Sequence, residues 1–141
     1  TQQQKINTLL TAKRLGMGIC SGGIIGMGET EGQGIGLAFK LRELEVQSIP
    51  INLLHPVPNT PLENTPLLKE EELVRTVALF RLIHPTVYLR LAGGRARLSA
   101  DALNKALYVG ANAAIVGDLL TTVGSNIDED KQRFKEAGYV L

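Results

Sequence analysis

A single cysteine, Cys20, is the whole thiol complement of this 141-residue sequence. One thiol excludes an internal disulfide framework, and it excludes an all-cysteine metal site built by this chain alone. Excess charge is missing too: Lys+Arg 15 against Asp+Glu 14 leaves a formal charge of +1, with no block of like sign. That balance excludes the strongly basic surface of a general nucleic-acid binder. No apolar run approaches the ~20 residues that a membrane helix needs. The opening Thr1-Gln2-Gln3-Gln4-Lys5 has no apolar signal region, so the cytoplasm is the expected compartment. No methionine stands at position 1, and the chain is expected to be a fragment of a longer one. His55 and His84 each precede a proline without His-Glu-x-x-His spacing, which gives a zinc site no support. They read as a loop residue and a helix-end residue. No Gly-x-Ser-x-Gly elbow or Ser-His-Asp arrangement is legible.

What is present is a globular composition, 44% hydrophobic and 21% charged, enough for one domain over residues 1–141. Four short stretches rich in Ile, Val or Leu read as strands: 18–25, 48–54, 86–91 and 113–117. Their near-continuous apolar character predicts a parallel sheet covered on its faces. Helical patterns alternate with them. Ile6, Leu9 and Leu10 share the first face, and Leu37, Leu41 and Leu44 the second. Leu73, Val77 and Phe80 share the third, and Leu103, Ala106, Leu107 and Gly110 the fourth, with Ser99 as cap. A last helix starts near Asp128, capped by Asn126 or Asp128, with Phe134 inward. Repeating βα units at spacings of about 30 residues amount to half of a (β/α)8 barrel of ~250 residues. The fold class expected is therefore α/β, the C-terminal half of such a barrel with four parallel strands, or else a small open α/β sheet. Residues 56–66, with prolines at 56, 58, 61 and 66, have no helix or strand signal and read as a functional loop.

Ligands of parallel α/β folds bind beyond the carboxyl ends of the strands. There the sequence places Cys20, Asn52, Arg90 and the pair Thr121-Thr122. The stretch from Cys20 to Thr30 has glycines at 22, 23, 26 and 28, where bare backbone can approach a ligand. No Gly-Lys-Ser/Thr follows, so it is not a phosphate loop of the Walker type. It is equally readable as a glycine-rich turn beside a buried cysteine. Glu29-Thr30 is expected to open a helix. Arg90 interrupts an apolar strand and needs a partner, either an anion or metal cluster or an interior carboxylate. Asn52 must satisfy its amide with a ureido or carboxyl group of a ligand, or by capping a loop. Arg95 and Arg97 either bind a carboxylate or phosphate or are solvated, the solvated reading being preferred, and Thr121-Thr122 either meet a carboxylate or act as caps.

The segment Ile19-Cys20-Ser21-Gly22-Gly23-Ile24 through Gly26, Gly28, Glu29 and Thr30 closely resembles biotin synthase. The match continues through Pro50-Ile51-Asn52-Leu53, residues 85–91, Gly110-Ala111-Asn112-Ala113, residues 117–122 and Asp128-Glu129-Asp130. The resemblance implies a radical S-adenosylmethionine enzyme on a (β/α)8 barrel, which converts dethiobiotin to biotin by inserting sulfur at two unactivated carbons. A [4Fe-4S] cluster there reduces S-adenosylmethionine to a 5′-deoxyadenosyl radical, and a [2Fe-2S] cluster provides the sulfur. It further implies that Cys20 and Arg90 ligate the [2Fe-2S] cluster. Asn52 would contact the ureido ring of dethiobiotin, and Thr121 and Thr122 would lie near its carboxylate. Gly23, Ile25, Gly26 and Glu29 would line the S-adenosylmethionine side. An electron-donor protein and a homodimer are implied partners.

This sequence departs from the family's pattern in one large respect. The Cys-x-x-x-Cys-x-x-Cys signature that holds the [4Fe-4S] cluster is absent, and so are the two other cysteine ligands of the second cluster. The chain alone is expected to be inactive, dependent on a missing N-terminal barrel half. Another radical S-adenosylmethionine barrel with a different substrate, and a non-catalytic α/β binding module, are the alternatives.

Overall fold

The computed structural model describes residues 1–117 and 125–140. Among them, helix α1 (Gln2–Arg14) leads into β1 (Gly23–Ile25), α2 (Glu31–Glu43), β2 (Ser48–Leu53) and α3 (Glu70–Ile83). Strand β3 (Tyr88–Leu91), a 3-10 turn (Arg95–Arg97), α4 (Ala100–Val109), β4 (Ala113–Ala114) and α5 (Ile127–Glu136) follow. The sheet is parallel throughout and ordered β1-β2-β3-β4. Successive right-handed crossovers that always step in one direction put every intervening helix on the same face. This is the fold of half a (β/α)8 barrel.

The caps follow the sequence closely. Ser99 Oγ accepts from Ala102 N at 3.1 Å to start α4, and Asn126 Oδ1 accepts from Asp128 N at 2.9 Å to start α5. The expected start of α2 is met at Thr30, its N-cap, where Thr30 and Gln33 cap each other, while Glu29 stays outside the helix. Residues 54–69 form no strand and no helix, as their prolines dictate.

Two expectations are corrected. The sheet is covered on one face only. Ile19, Ile25, Ile49, Ile51, Leu53, Leu89 and Leu91 are buried against the helices. Their neighbours Cys20, Ile24, Pro50, Asn52, Tyr88 and Arg90 are exposed or half-buried, and only Ser48 on that face is buried among these strand residues. The period-two alternation of a one-sided strand is therefore present, disguised by Pro50 and by the apolar Ile24. The first strand is also shorter than expected: Cys20 makes a single parallel bridge with Ser48, and the ladder resumes at Gly23. Pro50 has no N–H to donate at this level. It presses so close that a Cβ on Gly22 would lie 2.0 Å from its carbonyl oxygen.

The core lies between sheet and helices, with Leu73, Val77, Phe80, Ala102, Ala106, Leu107 and Phe134 facing the strands. Each fully buried Leu or Ile there contributes roughly 1.5–3 kcal/mol relative to exposure.

Candidate functional site

The parallel register sets which side chains share the bare face. Cys20 stands level with Ser48, and Ser48 with Tyr88. Two residues further along, Pro50 stands level with Arg90, and Arg90 with Ala113. Cys20, Asn52 and Arg90 therefore leave the sheet on the same side, opposite the helices. Cys20 and Arg90 are two strands apart, about 10 Å across the sheet. The thiol is free and exposed. Arg90 is half-buried, and among the described residues no carboxylate pairs with it.

Asn52 is tied to its neighbours on both sides. Its Nδ2 donates to Gly23 O at 3.2 Å, and its Oδ1 accepts from Gly93 N at 3.0 Å. The side chain thus laces β1 to the loop after β3 across the end of β2, which is the capping role the sequence left open. One N–H and one lone pair of the amide are not used by these bonds.

The glycine-rich turn after β1 folds on itself. Gly26 and Gly28 adopt φ of 87° and 97°, a backbone region that side chains disfavour. Glu29 closes the turn: its two carboxylate oxygens accept from Gly26 N and Met27 N, each at 2.7 Å. Two of the N–H groups that the sequence leaves open to a ligand are therefore engaged by the chain's own acid. Ile25 does not join Cys20, because alternation turns it to the helices, where it is buried. Gly23 presents its carbonyl to Asn52 and its Cα to Leu37. Thr121 and Thr122 lie outside the described residues.

The expected solvation of Arg95 and Arg97 is corrected. Arg95 is 6% exposed and pairs with Asp130, itself 5% exposed. Burial alone would raise the Asp130 carboxyl, but hydrogen bonds from Arg95 and Ser125 and the Arg95 charge hold it below its ordinary value. Arg97 reaches back to Leu68 O at 3.2 Å. A signal for the Arg95 pair was available: Asp130 and Phe134 lie one turn apart on α5, so an inward Phe134 carries an acid inward with it. His84 ends α3, buried, with Nε2 2.8 Å from Ala38 O, on the helix side of the sheet and away from Cys20. His55 is an exposed loop residue.

Comparison with known proteins points in one direction. The family model for the Biotin and Thiamin Synthesis associated domain matches residues 50–140. Biotin synthase of Porphyromonas gingivalis is 58% identical over 139 residues, 99% of this chain and 42% of that protein. Biotin synthase of Parabacteroides distasonis is 54% identical over 141 residues, 100% of this chain and 43% of that protein. The chain thus spans well under half the length of the curated relatives it matches. A crystal structure of HydG, a maturase of the [FeFe]-hydrogenase, superposes with a TM-score of 0.76 at 16% identity, over 95% of this chain and 32% of that one. That likeness establishes the fold.

Proposed function

The chain belongs to the Biotin and Thiamin Synthesis associated domain family, and from that premise we propose that it is the C-terminal barrel half of a biotin synthase. The observation that carries this reading is the shared direction of Cys20 and Arg90 on the bare face of the sheet, beside Asn52.

The donor set suits one end of a [2Fe-2S] cluster. Cys20 is an exposed free thiol, and Arg90 brings a guanidinium to the same face. Among the described residues no group of three or more His, Cys, Asp or Glu could hold a metal, and in this proposal the remaining ligands belong to the other barrel half. When bound, the [2Fe-2S] cluster supplies sulfur, and a [4Fe-4S] cluster with S-adenosylmethionine supplies the radical that removes hydrogen from unactivated carbon. The residues of this chain bind and orient. Asn52 turns its remaining N–H and lone pair to the ureido group of dethiobiotin, a donor–acceptor match for a donor–acceptor ligand. Thr121 and Thr122 offer hydroxyls to the carboxylate of dethiobiotin. Glu29 holds the turn that carries the backbone of Gly23 and Gly26 toward S-adenosylmethionine. The barrel half that completes the lumen excludes water. An electron-donor protein, a homodimer and a cytoplasmic setting belong to the same proposal.

The test is a chimera in which residues 1–141 replace the matching segment of the Porphyromonas gingivalis relative. After anaerobic reconstitution with iron and sulfide, dethiobiotin is expected to be converted to biotin, and Cys20→Ala is expected to abolish the [2Fe-2S] absorption. A folded chimera with neither conversion nor Cys20-dependent absorption refutes the proposal.

A further inference from the structure

The buried charge pair of Arg95 and Asp130 takes no part in the function proposed above. Its geometry is a fork: Arg95 Nη1 donates to Asp130 Oδ1 at 2.8 Å and Nη2 to Oδ2 at 2.5 Å. Nη2 also reaches Ile115 O at 2.9 Å and Ser125 Oγ at 2.5 Å, and that hydroxyl bonds Asp130 Oδ2. One guanidinium therefore joins the loop after β3, the end of β4 and the first turn of α5.

The same loop reaches the bare face two residues earlier. Gly93 N donates to Asn52 Oδ1, and Gly93 O accepts from Leu53 N at 2.8 Å. Gly94 sits between, at φ 79°, with no room for a Cβ, which would lie 2.2 Å from Leu53 O. Residues 93–95 thus form a three-residue strap, stitched to β2 at one end and to α5 at the other, without slack. Gly93 N–H is a donor, so it selects the oxygen of the Asn52 amide and directs Nδ2 toward Gly23 O.

We infer that Arg95 and Asp130 are positioning residues that hold Gly93 N–H against Asn52 and so fix the amide orientation offered to a ureido-bearing substrate. The inference rests on the reading of Asn52 given above. A buried pair of this kind is often replaceable by apolar residues of similar volume without loss of stability. Stability and positioning are therefore separable by experiment.

The experiment uses the chimera with Arg95→Met and Asp130→Leu together, with Arg95→Lys as a second variant that keeps the charge but loses the fork. Three quantities are read: the thermal midpoint, hydrogen exchange of the peptide carrying Gly93, and the KM and kcat for dethiobiotin. The apolar pair is expected to keep the midpoint within a few degrees, while Gly93 exchange and KM each rise about tenfold and kcat changes little. Arg95→Lys is expected to fall between parent and pair. Gly93 exchange or KM at the parent level in these variants, with Asn52→Ala impaired, overturns the positioning role alone. An unchanged KM in Asn52→Ala overturns the reading of Asn52 itself, whatever the pair variants show.

Discussion

Arg90 leaves the sheet on the same side as Cys20, two strands away and two residues further along the ladder. A one-residue slip of β1 against β2 would send the thiol into the core instead. At Gly22 the missing side chain lets Pro50 lie against β1 in this register, since a Cβ there would lie 2.0 Å from the Pro50 carbonyl oxygen. Gly22→Ala is therefore expected to displace Cys20 and to lower [2Fe-2S] content in the reconstituted chimera several-fold. The check is the ratio of cluster absorption to protein, with iron and sulfide analysis. Parent-level cluster content in a folded Gly22→Ala protein would show that the close approach does not set the register.

Asn52 is bonded to its neighbours on both sides, and in the proposed function it also meets the substrate. Asn52→Ala leaves Gly93 N–H without its partner and removes the remaining amide from the bare face. Binding of dethiobiotin is expected to weaken by ~1–3 kcal/mol if a buried hydrogen bond is lost. Isothermal titration of the chimera with dethiobiotin measures it. Asn52→Asp keeps Oδ1 but replaces the donor, so it should retain the bond from Gly93 and still lose affinity.

At Gly94 two penalties coincide. Its φ is 79°, and a Cβ there would lie 2.2 Å from Leu53 O and 3.0 Å from Leu53 C, backbone atoms of β2 that cannot swing aside. Gly94→Ala is expected to cost about 3 kcal/mol of stability, measured as a shifted denaturant midpoint at constant slope. By contrast, Gly34 in α2 has nothing within 4 Å of its missing Cβ. Gly34→Ala is expected to stabilise by up to about 1 kcal/mol through helix propensity.

Much of the fold was legible because its signals are local. Ser99 and Asn126 announce helix starts, and Leu73, Val77 and Phe80 recur at helical spacing. The one-sided sheet was not legible, because Ile24 is 50% exposed and Tyr88 60% exposed on the bare face, where apolar letters imitate core. Cys20, Asn52 and Arg90 could be chosen from residue type and place at the strand ends. Their common face needed the register, which pairs two segments and is not a property of either alone. The Arg95–Asp130 pair links residues far apart in sequence, and Arg95 by itself reads most simply as solvated.

Two buried titratable groups make stability depend on acid in different windows. Burial pulls the pKa of His84 below 6.5, against the hydrogen bond to Ala38 O that favours the proton, and the charges of Arg42 and Arg81 pull it further down. The unfolded chain therefore takes up a proton that the folded chain resists. Stability is complete above pH 6.5 and declines as pH falls from there toward the folded pKa. His84→Gln removes this window, so the difference in denaturant midpoint between parent and variant is expected to narrow or reverse between neutral pH and mildly acidic pH. Asp130 acts lower down. Its folded pKa lies below 3.8, so its contribution is present above pH 3.8 and disappears as pH falls through the folded value. Asp130→Ala strands the Arg95 charge in the interior and is expected to cost about 3–5 kcal/mol at neutral pH. That deficit should stay flat through the window in which His84 titrates and shrink only once the parent's own carboxyl is protonated. Urea unfolding of the chimera at stepped pH separates the two, and a deficit that already fell between pH 6.5 and mildly acidic pH would mean that Asp130 is not the anion that Arg95 holds.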